Sequence, residues 1–508
     1  MRRAHRLLLT AVSVTAVATV TAVPTAGAVS TDTDALLHSY TADTWRSMAA
    51  MVHPETGLVA DNIGGDLDPG DRSAYTSPTN IGAYMWSAVV ARDTGLISDA
   101  EARERIAVTL ETLPTLERHE DSGMFFNWYD PATGEKITTW PENGDPVHPF
   151  LSSVDNGWLA TGLEVVKDQV PALAAEADAV AKDMDFGYYY NPAENQIRGG
   201  FWLTERPGSV PGNYRGGETV YYTGHHYGAF NTEPRMASYL GIAADQIPPR
   251  HYFGPFRTFH NENCDYAWSE QRAVGQYETY LGERVFEGAY TYAGKRLIPT
   301  WGGSMFEALM VPLFVPEEEW GANSWALTHP TYVRAQIIHG MEEAGYGYWG
   351  FSPSNNPAGG YREYGVDAIG MEPNGYASDQ ERTYVDHGYG DCRPAQPEPA
   401  AYGQGVVTPH ASFLAYRYAP KESLKNLDRL RRDFDAYGPG GFYDAVNVST
   451  GEVSKRYLAL DQGMVVAALG NALAGEDMRS AFATGPMAEK VAPLMRMEEF
   501  TGITRGGK

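Results

Sequence analysis

In the segment Thr76-Ser-Pro-Thr-Asn-Ile-Gly-Ala-Tyr-Met-Trp86 a polar start runs directly into an apolar run. Ser, Thr, Asp and Asn cap the amino end of a helix, and the small and apolar residues that follow let a helix bury most of its circumference. The same pattern returns as Ser152-Ser-Val-Asp-Asn-Gly-Trp-Leu-Ala160, Phe230-Asn-Thr-Glu-Pro-Arg-Met-Ala237, Trp301-Gly-Gly-Ser-Met-Phe-Glu-Ala-Leu-Met310, Val406-Val-Thr-Pro-His-Ala-Ser-Phe-Leu-Ala415 and Ala459-Leu-Asp-Gln-Gly-Met-Val-Val-Ala-Ala-Leu469.

Polar-faced helical patterns lie between these segments, at residues 99–112, 172–185, 329–344 and 424–437. Six inner helices that alternate with amphipathic outer ones predict an all-α fold, an (α/α)6 toroid or barrel of six helical hairpins. In such a toroid the polar starts of the inner helices meet at one mouth. Long loops rich in Tyr, Trp, Gly and Asn precede the third, fourth and fifth inner helices, and we expect short β-hairpins among them at this mouth. The alternative is an ordinary helical bundle with capped ends.

The amino-terminal residues have the order of a secretory signal peptide. Arg2, Arg3 and Arg6 form a basic start, an apolar run begins at Leu7, and Ala26-Gly-Ala28 offers a cleavage site. A membrane anchor is disfavoured because Thr and Ser interrupt the apolar run, and no later segment reaches the roughly 20 apolar residues of a membrane span. We therefore predict a signal peptide over residues 1–28, a secreted protein without a membrane partner, and one domain over residues 29–508.

Composition restricts the partners. The net charge of −25 repels phosphate backbones, so nucleic acid is not expected as a partner.

The two cysteines, Cys264 and Cys392, predict either one disulfide in an oxidising compartment or two free buried thiols. Among the histidines only His225 and His226 are adjacent, and no HExxH spacing occurs, so we expect neither a metal nor another cofactor.

One loop is crowded with acids. It lacks the spacing of an EF-hand, so we favour a solvated acidic loop over a Ca²⁺ site. Its members are Asp61, Asp66, Asp68 and Asp71.

The aromatic residues are typical of a site that binds sugars. Sugar rings have apolar faces that stack on flat aromatic side chains, and hydroxyl edges that need carboxylates, amides and arginines. The chain has 11 Trp and 32 Tyr. The platform candidates are Trp128, Trp158, Trp202, Tyr222, Trp301, Tyr348 and Trp349, and the candidates for holding hydroxyls are His225, His226, Arg235, Gln336 and Arg362.

Carboxyl groups stand where the predicted mouth would need them. Hydrolysis of a glycosidic bond requires one protonated carboxyl and one carboxylate. The candidates are Asp155, Glu233, Glu307 and Asp461 at helix starts, and Glu363 and Asp367 in a loop. Asp155 and Asp461 could instead be helix caps, whereas Glu caps poorly and Glu233 precedes Pro234, which suits a first helical turn. Glu233 and Asp155 are therefore the preferred catalytic pair.

Several blocks of the chain also resemble one known family. Ser152–Gly162, Tyr227–Glu233, Gly302–Glu307, Tyr348–Ser352, Gly441–Asp444 and Leu460–Gly463 look, in the same order, like blocks of the bacterial glucoamylase-like toroidal family. This family includes the endo-β-1,2-glucanases of glycoside hydrolase family 144, which are inverting enzymes with an (α/α)6 barrel and no metal in their chemistry. The resemblance implies that Asp155 and Glu233 match acids needed for activity, and that the substrate is β-1,2-glucan.

Our hypothesis is a glycoside hydrolase in which Glu233 is the acid and Asp155, or a loop acid such as Asp367, is the base. The expected partner is a polysaccharide or oligosaccharide, and we expect a monomer. Hydrolysis of another polysaccharide on the same fold is one alternative. A second is a polysaccharide lyase, with Tyr227 beside His225 and His226 as base and Arg235 neutralising a uronate. The third is a carbohydrate-binding barrel without activity.

Overall fold

The computed structural model describes residues 31–259, 271–371, 402–403 and 405–505. The predicted signal peptide, residues 1–28, lies outside the described residues, as do Cys264 and Cys392. The leader and the disulfide therefore stay predictions.

Within the described residues the chain is predominantly helical, as predicted. The α-helices are α1 (Thr31–Ala50), α2 (Pro78–Asp93), α3 (Asp99–Thr112), α4 (Ser153–Gln169), α5 (Ala174–Ala181), α6 (Arg235–Ala243), α7 (Met305–Leu309), α8 (Glu317–Trp320), α9 (Trp325–Ile338), α10 (Pro409–Leu414), α11 (Pro420–Asp433), α12 (Ala459–Leu473), α13 (Asp477–Ser480), α14 (Gly485–Lys490), α15 (Ala492–Met497) and α16 (Thr501–Thr504). A π-helical turn, His339–Glu343, extends α9.

Strands are more numerous than the predicted short hairpins. They are β1 (Asn62–Gly64), β2 (Phe150–Ser152), β3 (Tyr190–Asn191), β4 (Gln196–Ile197), β5 (Gly200–Trp202), β6 (Val210–Gly212), β7 (Val220–Tyr222), β8 (Val274–Tyr280), β9 (Glu283–Tyr292), β10 (Lys295–Leu297), β11 (Thr300–Trp301), β12 (Ser354–Asn355), β13 (Tyr361–Arg362), β14 (Gly370–Met371), β15 (Val406–Val407), β16 (Tyr437–Gly438), β17 (Gly441–Phe442), β18 (Ala445–Asn447), β19 (Val453–Ser454) and β20 (Arg456–Leu458).

The strands form small sheets. The largest has the order β2-β5-β7-β6 and is antiparallel, and β8, β9 and β10 form a three-stranded antiparallel sheet. The label all-α was therefore too strict: the connection between α6 and α7, where a long loop with short hairpins was expected, carries a hairpin with strands of seven and ten residues.

The six predicted inner segments all contain helices, and these helices contact one another in sequence. α2 packs against α4, α4 against α6, α7 against α10, α10 against α12, and α12 against α2. The Arg235 side chain joins α6 to α7, because it donates to the carbonyls of Glu307 and Ala308 at 2.9 and 2.8 Å. The amino ends of these helices consequently lie around a common opening.

Glycines allow α2 and α4 to approach closely. A Cβ atom on Gly162 would lie 2.7 Å from the backbone of Gly82, and one on Gly82 would clash with the carbonyl of Trp158. Since backbone atoms cannot yield as a flexible side chain can, each position requires glycine. This contact brings the first turns of α2 and α4 together, which matters for the site.

A buried ionic cluster fixes α6 against α8 and α9. Arg235 pairs with Glu317 at 2.8 Å, and Glu317 also accepts hydrogen bonds from Tyr239 and His329, both at 3.0 Å. Burial alone would raise the pKa of Glu317, but the Arg235 charge and the His329 bond hold it at about 2.

The acidic loop is exposed except at its first aspartate. Asp66, Asp68 and Asp71 are exposed, as expected of a solvated acidic loop, whereas Asp61 is partly buried and turned inward. Within the part of the chain that the structure describes, every helix is too short or too polar to cross a membrane.

Candidate active site

Three inner helices each carry a carboxyl at the third helical residue. These are Asp155 in α4, Glu307 in α7 and Asp461 in α12. In α4 and α7 the cap is a serine, since Ser152 accepts from the Asp155 N–H and Ser304 from the Glu307 N–H. The interpretation of Asp155 and Asp461 as helix caps is therefore wrong.

The fourth member of this pattern is an amide. Asn80 is the third residue of α2, behind the cap Ser77, and it donates at 2.8 Å to Asp61. Asn62 donates to the second oxygen of Asp61 at 3.0 Å. Burial raises the pKa of Asp61 while the two amides lower it. Asp61 is thus a cleft carboxyl that the sequence analysis had assigned to the acidic loop.

The carboxyls line a cleft with two adjoining compartments. The larger encloses about 1020 Å³ and is bordered by Asp61, Asp155 and Asp461. The smaller encloses about 530 Å³ and is bordered by Trp301, Glu307 and Glu363. The residues that line both compartments are Glu233, Tyr361 and Leu460.

Glu233 therefore stands where the compartments meet. Its Oε2 accepts from the indole N–H of Trp158 at 2.6 Å, and its backbone N–H donates to Glu307 at 2.8 Å. Burial and the neighbouring Glu307 charge raise the pKa of Glu233 well above its ordinary value. A raised pKa is the property that a carboxyl acting as a general acid requires.

Glu307 and Asp155 border Glu233 on two sides. Burial raises the pKa of Glu307 to about 7. The Thr79 hydroxyl donates to Asp155 at 2.7 Å. Burial raises the pKa of Asp155, whereas the hydroxyl donors around it favour its ionised form. Glu363 is exposed at the rim, and desolvation raises its pKa as well.

Aromatic rings form one wall of the larger compartment. Trp128 and Trp140 meet edge to face at 5.4 Å, and Tyr75 lies 4.5 Å from Trp140. All three line the cleft and are partly exposed. Of these, only Trp128 was predicted. Trp140 is followed by Pro141, Asn143 and Gly144, a loop composition that could have indicated it, and Tyr75 directly precedes the polar start of the first inner segment.

Trp301 lines the smaller compartment, as predicted for a sugar platform. Five other predicted sugar contacts are wrong because their side chains are buried and bonded inside the protein. Gln336 uses its amide on the backbone of Gly303 and Phe351. Arg235 is held by Glu317, and Trp158 contacts the acid Glu233, not solvent. Tyr222 and Trp349 are core residues with 0% and 2% exposure.

The remaining candidates lie away from the cleft lining. Asp367 is buried and lines neither compartment, so it is a poor candidate for the base. His226 contacts Asn191 at 3.0 Å, and His225 and Arg362 are exposed. Trp202 packs against Phe150, and Tyr348 donates to Asp433.

The lyase alternative loses its chemical basis in this geometry. Burial and the Glu233 charge raise the pKa of Tyr227 above its ordinary value, the direction opposite to that of a catalytic base. Arg235, the group meant to neutralise a uronate, is sequestered by Glu317 at 2.8 Å.

We expect Trp158→Phe to move the basic limb of the pH–rate profile to higher pH. The indole N–H stabilises ionised Glu233 and so lowers its pKa; without this donor the pKa rises, and the acid stays protonated at higher pH. The control is Trp86→Phe, which loses a similar buried bond, to the Gly463 carbonyl at 2.9 Å. A shift to lower pH, or equal shifts in both variants, would contradict this role of Trp158.

Comparison with known proteins agrees with the fold. Residues 275–476 match the Glycoamylase family model, described as "Putative glucoamylase", and residues 39–208 match a family of unknown function, DUF3131. The endo-β-1,2-glucanase of Chitinophaga pinensis, in complex with sophorotriose and glucose, superimposes with a TM-score of 0.62 at 18% identity, over 92% of this chain and 98% of that one. The endo-β-1,2-glucanase of Talaromyces funiculosus with sophorose gives 0.63 at 11% identity, over 93% and 90%.

Among curated sequences, the cyclic β-(1,2)-glucan synthase NdvB of Rhizobium meliloti is 26% identical over 371 residues. The match covers 71% of this chain but only 11% of the synthase, so the chain corresponds to a small part of that protein. These matches confirm the predicted resemblance to glucoamylase-like proteins. They also support the predicted class, a glycoside hydrolase.

Proposed function

We propose that the protein hydrolyses a β-linked glucan, with β-1,2-glucan as the substrate, in the cleft around Glu233. The proposal depends most on the position of Glu233, a partly buried carboxyl with a raised pKa at the junction of two compartments that each have an aromatic residue in the wall. A glucan that crosses the junction places a glycosidic oxygen beside this carboxyl. The β-1,2 linkage is supported by the names of the two glucanases and the synthase that the chain resembles.

In the proposed mechanism Glu233 donates its proton to the leaving oxygen, and a second carboxylate removes a proton from the attacking water. The cleft supplies two carboxyls for the second role, Asp155 and Asp461. Asp155 receives the Thr79 hydroxyl and stands in the first turn of α4, where the helix dipole favours negative charge. The mechanism inverts the anomeric centre if a water fits between acid and base.

The direct test is a panel of linear glucans with different β-linkages, plus arabinan and mannan, with new reducing ends as the readout. Release of reducing sugar from β-1,2-glucan, and from no other polymer, is the expected result. Following the first product by NMR then reports the anomer, with α expected from inversion. Release of reducing sugar only from a different polymer would support a hydrolase but reject the β-1,2 linkage.

The aromatic wall predicts a binding defect. We expect Trp140→Ala to raise KM about tenfold, equivalent to about 1.4 kcal/mol, with a small change in kcat, because the lost ring stacks on a sugar away from the reacting bond. Trp202→Ala is the matched control, since Trp202 is half-buried against Phe150 but lies outside the cleft lining. Equal KM values for the two variants would remove Trp140 from the binding site.

We also propose that the protein acts outside the cell, as a single (α/α)6 domain after removal of residues 1–28. The basic, apolar and small-residue order of that segment supports export. One continuous core that runs from Leu37 to Phe500 supports a single domain.

A further inference from the structure

Behind the cleft wall lies a second, smaller pocket that the proposed mechanism does not use. It is bordered by Asp461, which also lines the larger compartment, and by Asp444 and His410. All three side chains are only 3% exposed. Asp444 follows β17, and His410 belongs to the first turn of α10. Asp461 thus has one side toward the cleft and one toward this inner pocket.

Asp444 and Asp461 each have one carboxyl oxygen that accepts no hydrogen bond from the described residues. Asp444 Oδ2 accepts from the Asn355 N–H at 2.6 Å, but Asp444 Oδ1 and Asp461 Oδ2 have no hydrogen-bond partner among the described residues. The ligand atoms of Asp444, Asp461 and His410 all lie within 4.8 Å of one another. Two buried acceptors so close together are costly unless a proton or a cation stands between them.

The hydrogen bonds of His410 favour a proton, not a cation, between the carboxyls of Asp444 and Asp461. Thr408 gives its single hydroxyl hydrogen to the Asp444 carbonyl at 2.7 Å, so the 2.8 Å contact between Thr408 Oγ1 and His410 Nδ1 requires a hydrogen on Nδ1. The same nitrogen lies 3.3 Å from Asp461 Oδ2. Nδ1 therefore turns an N–H, not a lone pair, toward Asp461, so this nitrogen cannot bind a metal placed between the two carboxyls. The lone pair is on Nε2, which has no hydrogen-bond partner among the described residues.

We infer that Asp444 and Asp461 share one proton, held on Asp444 and donated to Asp461, and that Asp444 is the residue that positions Asp461 at the cleft wall. The part of this inference that concerns catalysis rests on the proposed function; the shared proton does not. The titratable groups that face Asp461 are Asp444, His410 from α10, Asp61 from the loop before β1, and Tyr361 from β13.

The pKa values of Asp444, Asp461 and His410 shift in directions that agree with this arrangement. Burial and the Asp461 charge raise the pKa of Asp444 well above its ordinary value, whereas burial raises that of Asp461 to about 7 and the bond from Asp444 lowers it. Burial lowers the pKa of His410 to about 4, so the imidazole is neutral at pH 7 and supplies no charge to balance two carboxylates.

The first test is the infrared difference spectrum of the wild type minus Asp444→Asn at neutral pH. The wild type should show a protonated-carboxyl C=O band that this variant lacks, and Asp435→Asn, which removes an exposed acid, should leave the band in place. Absence of the band in the wild type would overturn the inference. So would about one tightly bound metal ion per chain in the purified protein, removable by EDTA.

The second test uses kinetics. Asn at position 444 keeps a donor toward Asp461, so its kcat should stay within about threefold of the wild type, whereas Asp444→Ala should lose about tenfold or more in kcat with KM little changed. In the Ala variant the acid limb of the pH profile should move to higher pH, because the donor that favours ionised Asp461 is gone. Equal losses in both variants would contradict the positioning role.

The two tests separate the possible failures. The infrared band needs no substrate, so its presence in a protein that cleaves none of the glucans would reject only the proposed function. Its absence in an active glucanase would reject only the shared proton. Thermal unfolding of each variant identifies a loss of activity that comes from misfolding.

Discussion

Glu233→Gln should reduce kcat on the glucan about 10³-fold while leaving the Kd of the bound glucan little changed. Glutamine keeps the size of the side chain and can still contact the Trp158 indole, but it has no proton to give to the leaving oxygen. General acid catalysis contributes about 10²–10⁴-fold, so the loss should be large and confined to turnover. The measurement is kcat on the purified variant, with Kd from calorimetry.

The control for this variant is Glu135→Gln, which changes an exposed glutamate outside the cleft lining. It should match the wild type in both kcat and Kd. If Glu233→Gln turned over the glucan at the wild-type rate, Glu233 would have no part in the mechanism, and Glu307 would be the next carboxyl to consider.

Arg235→Met should lower the free energy of unfolding by about 3–5 kcal/mol, because it leaves Glu317 buried without its charge partner. The loss should also change with pH. The pKa of Glu317 is lowered in the folded protein to about 2 from 4.5, so the stabilisation is fully present above about pH 4.5 and is lost as the pH falls toward 2. Denaturant unfolding at several pH values measures both effects.

Two further variants make this result specific. Arg215→Met breaks an exposed pair with Asp185, and it should cost less than about 1 kcal/mol. The double variant Arg235→Met with Glu317→Leu removes both charges and should recover part of the lost stability. A single variant as stable as the wild type would show that the buried pair does not hold α6 to α8.

The sequence predicted the inner helices because their signal is local. A polar start followed by small, apolar residues appears in each of the six segments, and each contains a helix. Short hairpins were expected in the long loop before the fourth inner helix, but the length of the β8–β9 hairpin was not. The composition of 274–292, with four Tyr and one Phe, is typical of strands and could have indicated it.

Part of the candidate site was also predicted, because the positions of some of its residues follow from local spacing. The spacing from cap to third helical residue places Asp155 and Glu307 on the cleft, and it could have added Asn80, which follows Ser77 by three. Asp444 and Asp61 precede or follow short strands, and no local pattern indicates that they lie near Asp461. The prediction that Arg235 and Gln336 hold sugar hydroxyls was wrong because their partners, Glu317 and the Phe351 backbone, are not adjacent in sequence.

If Glu233 protonates the leaving oxygen of a β-linked glucan, the effect of its substitution must depend on the leaving group. Aryl β-glycosides of the substrate sugar with a dinitrophenol leaving group need no protonation, whereas the natural glucan does. Glu233→Gln should therefore retain nearly wild-type kcat on the activated aryl substrate while losing about 10³-fold on the glucan. Equal losses on both substrates would contradict the assignment of Glu233 as the acid.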